Sequence, residues 1–174
     1  MTIATQGFTR RASAWAVLAL AASMAITAAA FAAHPRPGAR YTGTGKQYEN
    51  NAAGGRYTSY VGRVSVSFRV SGDGRRVLGF VGHYKALFCN GSPGTVTDKS
   101  IAIRADGSFA DTGQRPNHAP DGTVNGMEYL RIKGRFIGRG TTADVFYSDI
   151  VRFNSGDPRY RECGLKVKGS ARAR

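Results

Sequence analysis

The sequence is poor in the residue types that most often carry enzyme chemistry. Its 174 residues include two cysteines, three histidines and three glutamates, and its single tryptophan, Trp15, lies in an N-terminal apolar run. The histidines do not stand at the H-x-H or H-E-x-x-H spacing of a metal site, and no G-x-S-x-G motif marks a hydrolase nucleophile. We therefore expect a non-catalytic protein that holds no cofactor and no metal.

The sequence also lacks an apolar run long enough to cross a membrane. The longest run, Trp15–Ala30, has about 16 residues, whereas a spanning helix needs about 20. It follows Arg10-Arg11 and precedes the small-x-small sequence Ala30-Phe31-Ala32, an arrangement typical of a signal peptide. We predict that residues 1–32 are a signal peptide, that the protein is secreted, and that the rest has no transmembrane segment. The general and twin-arginine export routes both stay open.

Acidic residues are scarce. The chain has 11 Asp and Glu against 25 Lys and Arg, which gives a formal net charge of +14. Such an excess attracts polyanions through the summed field of the protein, although it also serves solubility. The partners that this charge predicts in an exported protein are a cell-wall polymer, an acidic polysaccharide or lipid headgroups. Export argues against nucleic acid.

Cysteine is limited to Cys89 and Cys163, both in the part of the chain that we expect to be exported. Two cysteines in an oxidising compartment most simply form one disulfide. A metal site would need further cysteines or nearby histidines, and a nucleophilic cysteine would leave the second thiol unexplained. We predict a Cys89–Cys163 bridge.

Helical periodicity is almost absent, and alternation with period two replaces it. Val64, Val66, Phe68 and Val70 alternate with polar residues, which indicates a half-buried strand. Asp73-Gly74 then supplies a hairpin turn. Arg76–Cys89 reads as one strand or two broken by a bulge, and the polar stretch Thr112–Asn125 reads as the longest irregular connection.

Seven to nine strands separated by frequent turn signals predict an all-β protein, an antiparallel β-sandwich or a small barrel. We expect an extended N-terminal arm over residues 33–40 and one β-sandwich domain over residues 41–174.

Several short segments carry a resemblance. They are the opening Tyr41-Thr42-Gly43-Thr44-Gly45, the cysteine-ending strand FVGHYKALFCNG, the turn RADGSFADTG, the strand IKGRFIGRGTTADV and the closing strand CGLKVKGSARA. In this layout the chain resembles uncharacterised secreted bacterial all-β proteins with one disulfide. The resemblance covers most of residues 41–172 and implies a β-sandwich. The resemblance implies no particular activity and no catalytic residues.

Strand parity predicts where the basic side chains point. If alternate residues face solvent, basic residues project outward from three strands and form a cationic surface wherever those strands are neighbours. The predicted anion-binding residues are Arg63, Arg69, Arg131, Lys133, Arg135, Lys166 and Lys168.

Other functions stay open at this point. A small secreted enzyme would be a hydrolase with paired carboxylates or a copper enzyme that uses His34 with His83 or His118. An inhibitor or protein-interaction domain would use the Thr112–Asn125 segment. Carbohydrate binding would rely on tyrosines near the N-terminal edge, which are Tyr41, Tyr48, Tyr57 and Tyr60.

Overall fold

Antiparallel strands make up most of the chain that the computed structural model describes, which comprises residues 33–50, 57–86, 92–154 and 162–174. The strands are β1 Arg40–Asn50, β2 Tyr57–Val70, β3 Arg76–Tyr84, β4 Gly94–Ala102, β5 Ser108–His118, β6 Val124–Ile137, β7 Thr142–Phe153 and β8 Glu162–Ala173. The predicted signal peptide, residues 1–32, and Cys89 lie outside the described residues.

All eight strands lie in one sheet with the order β4-β3-β2-β1-β8-β7-β6-β5. Every pair of strands consecutive in the chain is hydrogen-bonded except β4 and β5, and β1 also pairs with β8. The sheet curls so that its edge strands β4 and β5 approach each other, which gives a nearly closed barrel-like structure. The all-β prediction with seven to nine strands is confirmed. The remaining seam lies between β4 and β5, which are joined through the isolated bridge Ile103–Phe109.

The predicted hairpin between β2 and β3 is present. Gly74 has φ 73°, a left-handed conformation that glycine adopts readily. Asp73 Oδ1 accepts hydrogen bonds from the Arg75 amide at 3.1 Å and the Ser71 hydroxyl at 2.5 Å. The Asp73 side chain and the left-handed backbone of Gly74 therefore determine this turn, and both can be predicted from the sequence.

The prediction that Thr112–Asn125 is an irregular connection is wrong. Most of it belongs to β5 and to the start of β6, and the connection shrinks to a turn in which the Thr123 amide donates to Asp121 at 2.9 Å. β5 pairs with β6 along one edge while its other edge faces the seam, so its side chains are mostly exposed and polar. Pro116 is tolerated there because an edge strand has amide positions that need no partner.

The interior is apolar at the end of the barrel where β1, β3, β5 and β7 begin. Phe68 lies at its centre, with ring centroids 5.0 Å from Tyr41, 5.8 Å from Phe109, 6.1 Å from Phe80 and 6.2 Å from Phe136. All five rings are almost fully buried. Such aromatic pairs contribute about 0.5–1.5 kcal/mol each beyond their area burial, so this cluster anchors five strands to one another.

The predicted N-terminal arm packs against the same end of the barrel. The Arg36 amide donates to the Tyr41 hydroxyl at 3.2 Å, and that hydroxyl donates to the Gly140 carbonyl in the β6–β7 turn. The Gly38 amide donates to the Ser71 carbonyl at 3.1 Å. The arm thus ties β1 to two hairpin turns.

Candidate functional site

Basic side chains form a row across the outer surface of five neighbouring strands. Residues that pair directly across an antiparallel sheet point to the same face. The row consists of Lys133 on β6, Phe146 on β7, Lys168 on β8, Lys46 on β1 and Arg63 on β2. We call these five residues the basic row. Four of its five positions are cationic, at a spacing of about 5 Å per strand.

A shallow concavity of about 950 Å³ lies over β5 to β8 and includes Lys133, Phe146 and Lys168 of the basic row. We call it the basic concavity. The cationic residues among its described lining are Arg104, Arg131, Lys133, Arg135, Lys166 and Lys168. Asp144 is the one acidic side chain in that described lining. The local charge is therefore strongly positive, and an anion that enters the concavity meets cations from β6, from β8 and from the turn between β4 and β5.

The structure brings five of the seven predicted anion-binding residues together in this concavity. Arg63 joins them through Lys46, because it continues the basic row onto β2. Arg69 does not join, since it pairs with Arg40 near the other end of β2 and lines a separate concavity of about 320 Å³. The anion-binding role of all seven residues stays a prediction.

Two contacts hold cations of the concavity in place. The Lys133 ammonium lies 5.0 Å from the Phe146 ring centroid, a cation–π arrangement. Arg135 Nη2 lies 2.9 Å from Asp106 Oδ2. Hydrogen bonds from the Ser108 side chain and amide, aided by Arg135, lower the pKa of Asp106 to about 2. The Asp106 carboxylate that Arg135 contacts is therefore ionised at neutral pH.

Three tyrosines lie next to the basic residues on the outer face, and we call Tyr48, Tyr57 and Tyr60 the tyrosine ledge. Tyr48 pairs with Lys166 on one side and with Tyr60 on the other. The Lys166 ammonium lies 3.8 Å from the Tyr57 ring centroid. Tyr60 is 55% exposed and its ring centroid is 5.8 Å from that of Tyr48.

The interior is polar at the opposite end of the barrel from the arm. Arg115 on β5 donates from Nε and Nη2 to both carboxylate oxygens of Glu128 on β6, at 2.5 and 2.7 Å. Glu128 and Asp149 on β7 are each 8% exposed. We call Arg115, Glu128 and Asp149 the carboxyl cluster. The Arg115 side chain is 65% exposed, so it reaches from the surface to these buried carboxyl groups. Bidentate Arg–carboxylate pairs combine charge with fixed geometry, so the cluster links β5, β6 and β7.

Burial raises the pKa of Asp149 to about 7, and the negative charge of Glu128 and a hydrogen bond between the two carboxyl groups add to the effect. Arg115 opposes it. Burial also raises the pKa of Tyr84, with further contributions from the charges of Asp149 and Glu128. These carboxyl groups are engaged with each other and with Arg115, which favours a structural role over that of a glycosidase pair.

The histidines that a copper enzyme would use do not converge. His34 belongs to the arm at one end of the barrel, whereas His83 near the end of β3 and His118 at the end of β5 lie toward the other end. His118 Nδ1 is 3.0 Å from the Gly122 carbonyl oxygen. Within the described ranges, no three His, Cys, Asp or Glu side chains are grouped as a metal site would require. Cys163 is buried at the start of β8. Its pairing with Cys89 stays a prediction because Cys89 is not among the described residues.

Sequence reasoning missed Lys46 and Phe146 on the outer face and the carboxyl cluster in the interior. Lys46 alternates with buried Gly45 and Gln47 in the same way as the predicted basic residues. That signal was available in the sequence. Phe146 and the carboxyl cluster depend on the pairing of β5, β6, β7 and β8, which strand parity alone does not reveal.

Within the described ranges, the structure contains no helix with the length and apolar content that crossing a bilayer requires. No known protein family matches the chain, and no curated protein is significantly similar to it.

Proposed function

We propose that the protein is a secreted, non-catalytic binding module for an anionic polymer or surface, and that the basic concavity and the basic row are its binding site. The observation that carries this proposal is that the described lining of the concavity holds six cations and one carboxylate. Arginines suit bidentate contact with carboxylate or phosphate, and lysines act as point charges.

The shape of the site supports a long ligand over a small one. The concavity is shallow, and the basic row continues from it onto β1 and β2, so four cations and Phe146 follow one another across five strands. A polymer or surface with repeated negative charges can neutralise several of them at once. An enclosed pocket would instead suit a single small molecule.

The test compares two double variants that each lose one arginine and one lysine. R131Q/K168Q removes two cations of the basic concavity, whereas R69Q/K99Q removes two exposed cations elsewhere on the barrel. Affinities of the purified protein for polygalacturonate and for polyphosphate are measured from low to high salt.

We expect wild-type affinity to fall steeply with salt, because mobile ions screen exposed charges. R131Q/K168Q should bind roughly 2- to 30-fold more weakly at low salt, since each exposed ion contact contributes about 0.2–1 kcal/mol. R69Q/K99Q should change affinity much less. Equal losses in the two variants, or an affinity indifferent to salt, would overturn the proposal.

A further inference from the structure

The tyrosine ledge and the basic residues form one continuous outer surface. Lys46 and Tyr48 are two residues apart on β1, so they face the same side. Lys46 pairs with Lys168 and Arg63, while Tyr48 pairs with Lys166 and Tyr60. A ligand that lies on the cations of β8 and β1 therefore touches aromatic rings at the adjacent position.

The ledge is partly exposed, whereas six aromatic rings of the described barrel are buried. Tyr60 is the most exposed large hydrophobic residue in the described part of the chain, and Tyr48 beside it on β1 is half-buried. Exposed aromatic side chains present a large apolar surface with a polar hydroxyl at the edge, which suits contact with a partner that is partly apolar and partly polar.

Neighbouring groups fix part of the ledge in position. The Tyr57 hydroxyl donates to the Glu162 carboxylate, and Lys166 lies over the face of the same ring. Tyr57 and Lys166 are thus held before any ligand arrives. A prearranged surface loses less side-chain freedom on binding.

We propose that the ligand is an acidic polysaccharide built of hexuronic acids, whose carboxylates bind the basic row and whose sugar rings pack on Tyr60 and Tyr48. This rests on the proposed function and narrows it to one ligand class. A pyranose ring presents a face of C–H groups that packs on an aromatic ring, and a hexuronic acid adds one carboxylate per ring. Polyphosphate carries the charge without that face.

The experiment measures the affinity of the full protein for polygalacturonate, polyphosphate and phosphatidylglycerol vesicles at one ionic strength. It uses wild type, Tyr60→Ala, Tyr60→Phe and Ile137→Ala. Tyr60→Phe keeps the ring and loses the hydroxyl. Ile137→Ala removes an exposed apolar side chain at the far end of β6. The thermal midpoint of each variant shows that the fold is retained.

We expect Tyr60→Ala to bind polygalacturonate roughly 3- to 10-fold more weakly, which is the range for an aromatic packing contact. Tyr60→Phe should bind like wild type, because the ring makes the contact. Ile137→Ala should also bind like wild type. Polyphosphate affinity should be the same for all four proteins.

Three results would overturn this inference. Tyr60→Ala could bind polygalacturonate as wild type does, it could lose polyphosphate affinity to the same extent, or the vesicles could bind more tightly than polygalacturonate. In each case a salt-dependent affinity that R131Q/K168Q lowers would still support the proposed function. If no polyanion shows that salt dependence, the proposed function itself fails.

Discussion

At the scale of single residues, the carboxyl cluster makes the stability of the barrel depend on pH. Burial and Glu128 raise the pKa of Asp149 from 3.8 to about 7. Between these values the folded protein keeps a proton that the unfolded chain has lost, so the free energy of unfolding falls as pH rises from about 4 to about 7. Above that range Asp149 is ionised in both states and its contribution is flat.

We expect Asp149→Asn to flatten this decline, because asparagine keeps a donor for Glu128 without titrating. The groups that face Asp149 are Glu128 on β6, Arg115 on β5 and Tyr84 on β3. Urea unfolding at steps from pH 4 to pH 8 measures the slope in wild type and variant. Part of the slope should remain, since burial and a hydrogen bond with Asp111 also raise the pKa of Asp98.

Asp121→Asn is the matched control. Hydrogen bonds from the Thr123 side chain and amide lower the pKa of Asp121. A lowered pKa contributes stability above the unfolded value that is lost as pH falls, which is the opposite sign. This variant should therefore keep the wild-type decline above pH 4. An Asp149→Asn protein with the full wild-type decline would contradict the assignment.

At the scale of the elements, one glycine permits a contact across the barrel. Tyr147 on β7 donates its hydroxyl to the His83 carbonyl on β3, and its ring lies on Gly82. A Cβ at Gly82 would meet ring carbons of Tyr147 at 2.7–2.9 Å. Tyr147 is fully buried, so its ring has little space to move aside.

Gly82→Ala should therefore lower the free energy of unfolding by about 1–3 kcal/mol, the usual cost of overpacking a core. Gly72→Ala provides the comparison, because a Cβ at Gly72 meets nothing within 4 Å. Urea denaturation of both variants measures the effect. Similar stabilities for the two would show that Tyr147 does not depend on Gly82.

The elements also show what the sequence can predict. Alternation predicts the second half of β2 and the first half of β8, because one buried face leaves a period of two in the sequence. The β2–β3 turn follows from Asp73-Gly74, whose hydrogen bonds are local. β5 is missed because it is exposed and contains Pro116, so it has no apolar period. Its strand conformation depends on pairing with β6, which is a long-range effect.

The sequence likewise predicts one part of the candidate site and not the other. The outward direction of Lys133 and Lys168 follows from parity on each strand. Their convergence around one concavity depends on β7 lying between β6 and β8. Arg69 lies away from the basic concavity because it is near the end of β2, and parity gives the direction of a side chain but not its neighbours along the strand.

At the scale of the whole molecule, the barrel stays open at one seam. β4 and β5 are consecutive in the chain, yet their pairing ends near the turn that joins them. Asp98 on β4 and Asp111 on β5 meet across the seam, where the two carboxyl groups share a hydrogen bond. Charged residues that point inward and a proline on an edge strand are devices that oppose further strand pairing. Asp98, Asp111 and Pro116 together account for the open seam.

The open seam predicts an uneven resistance to local unfolding. β8 has a hydrogen-bonded neighbour on each side, whereas β5 pairs with β6 alone. Backbone amides of β5 that face the seam, between residues 110 and 118, should exchange with deuterium at least about tenfold faster than those of β8, because local opening there breaks fewer contacts. Residue-resolved exchange at one pH measures this difference. The amides of β7, which also has two neighbours, should behave like those of β8. Equal protection of β5 and β8 would mean that the barrel is closed in solution.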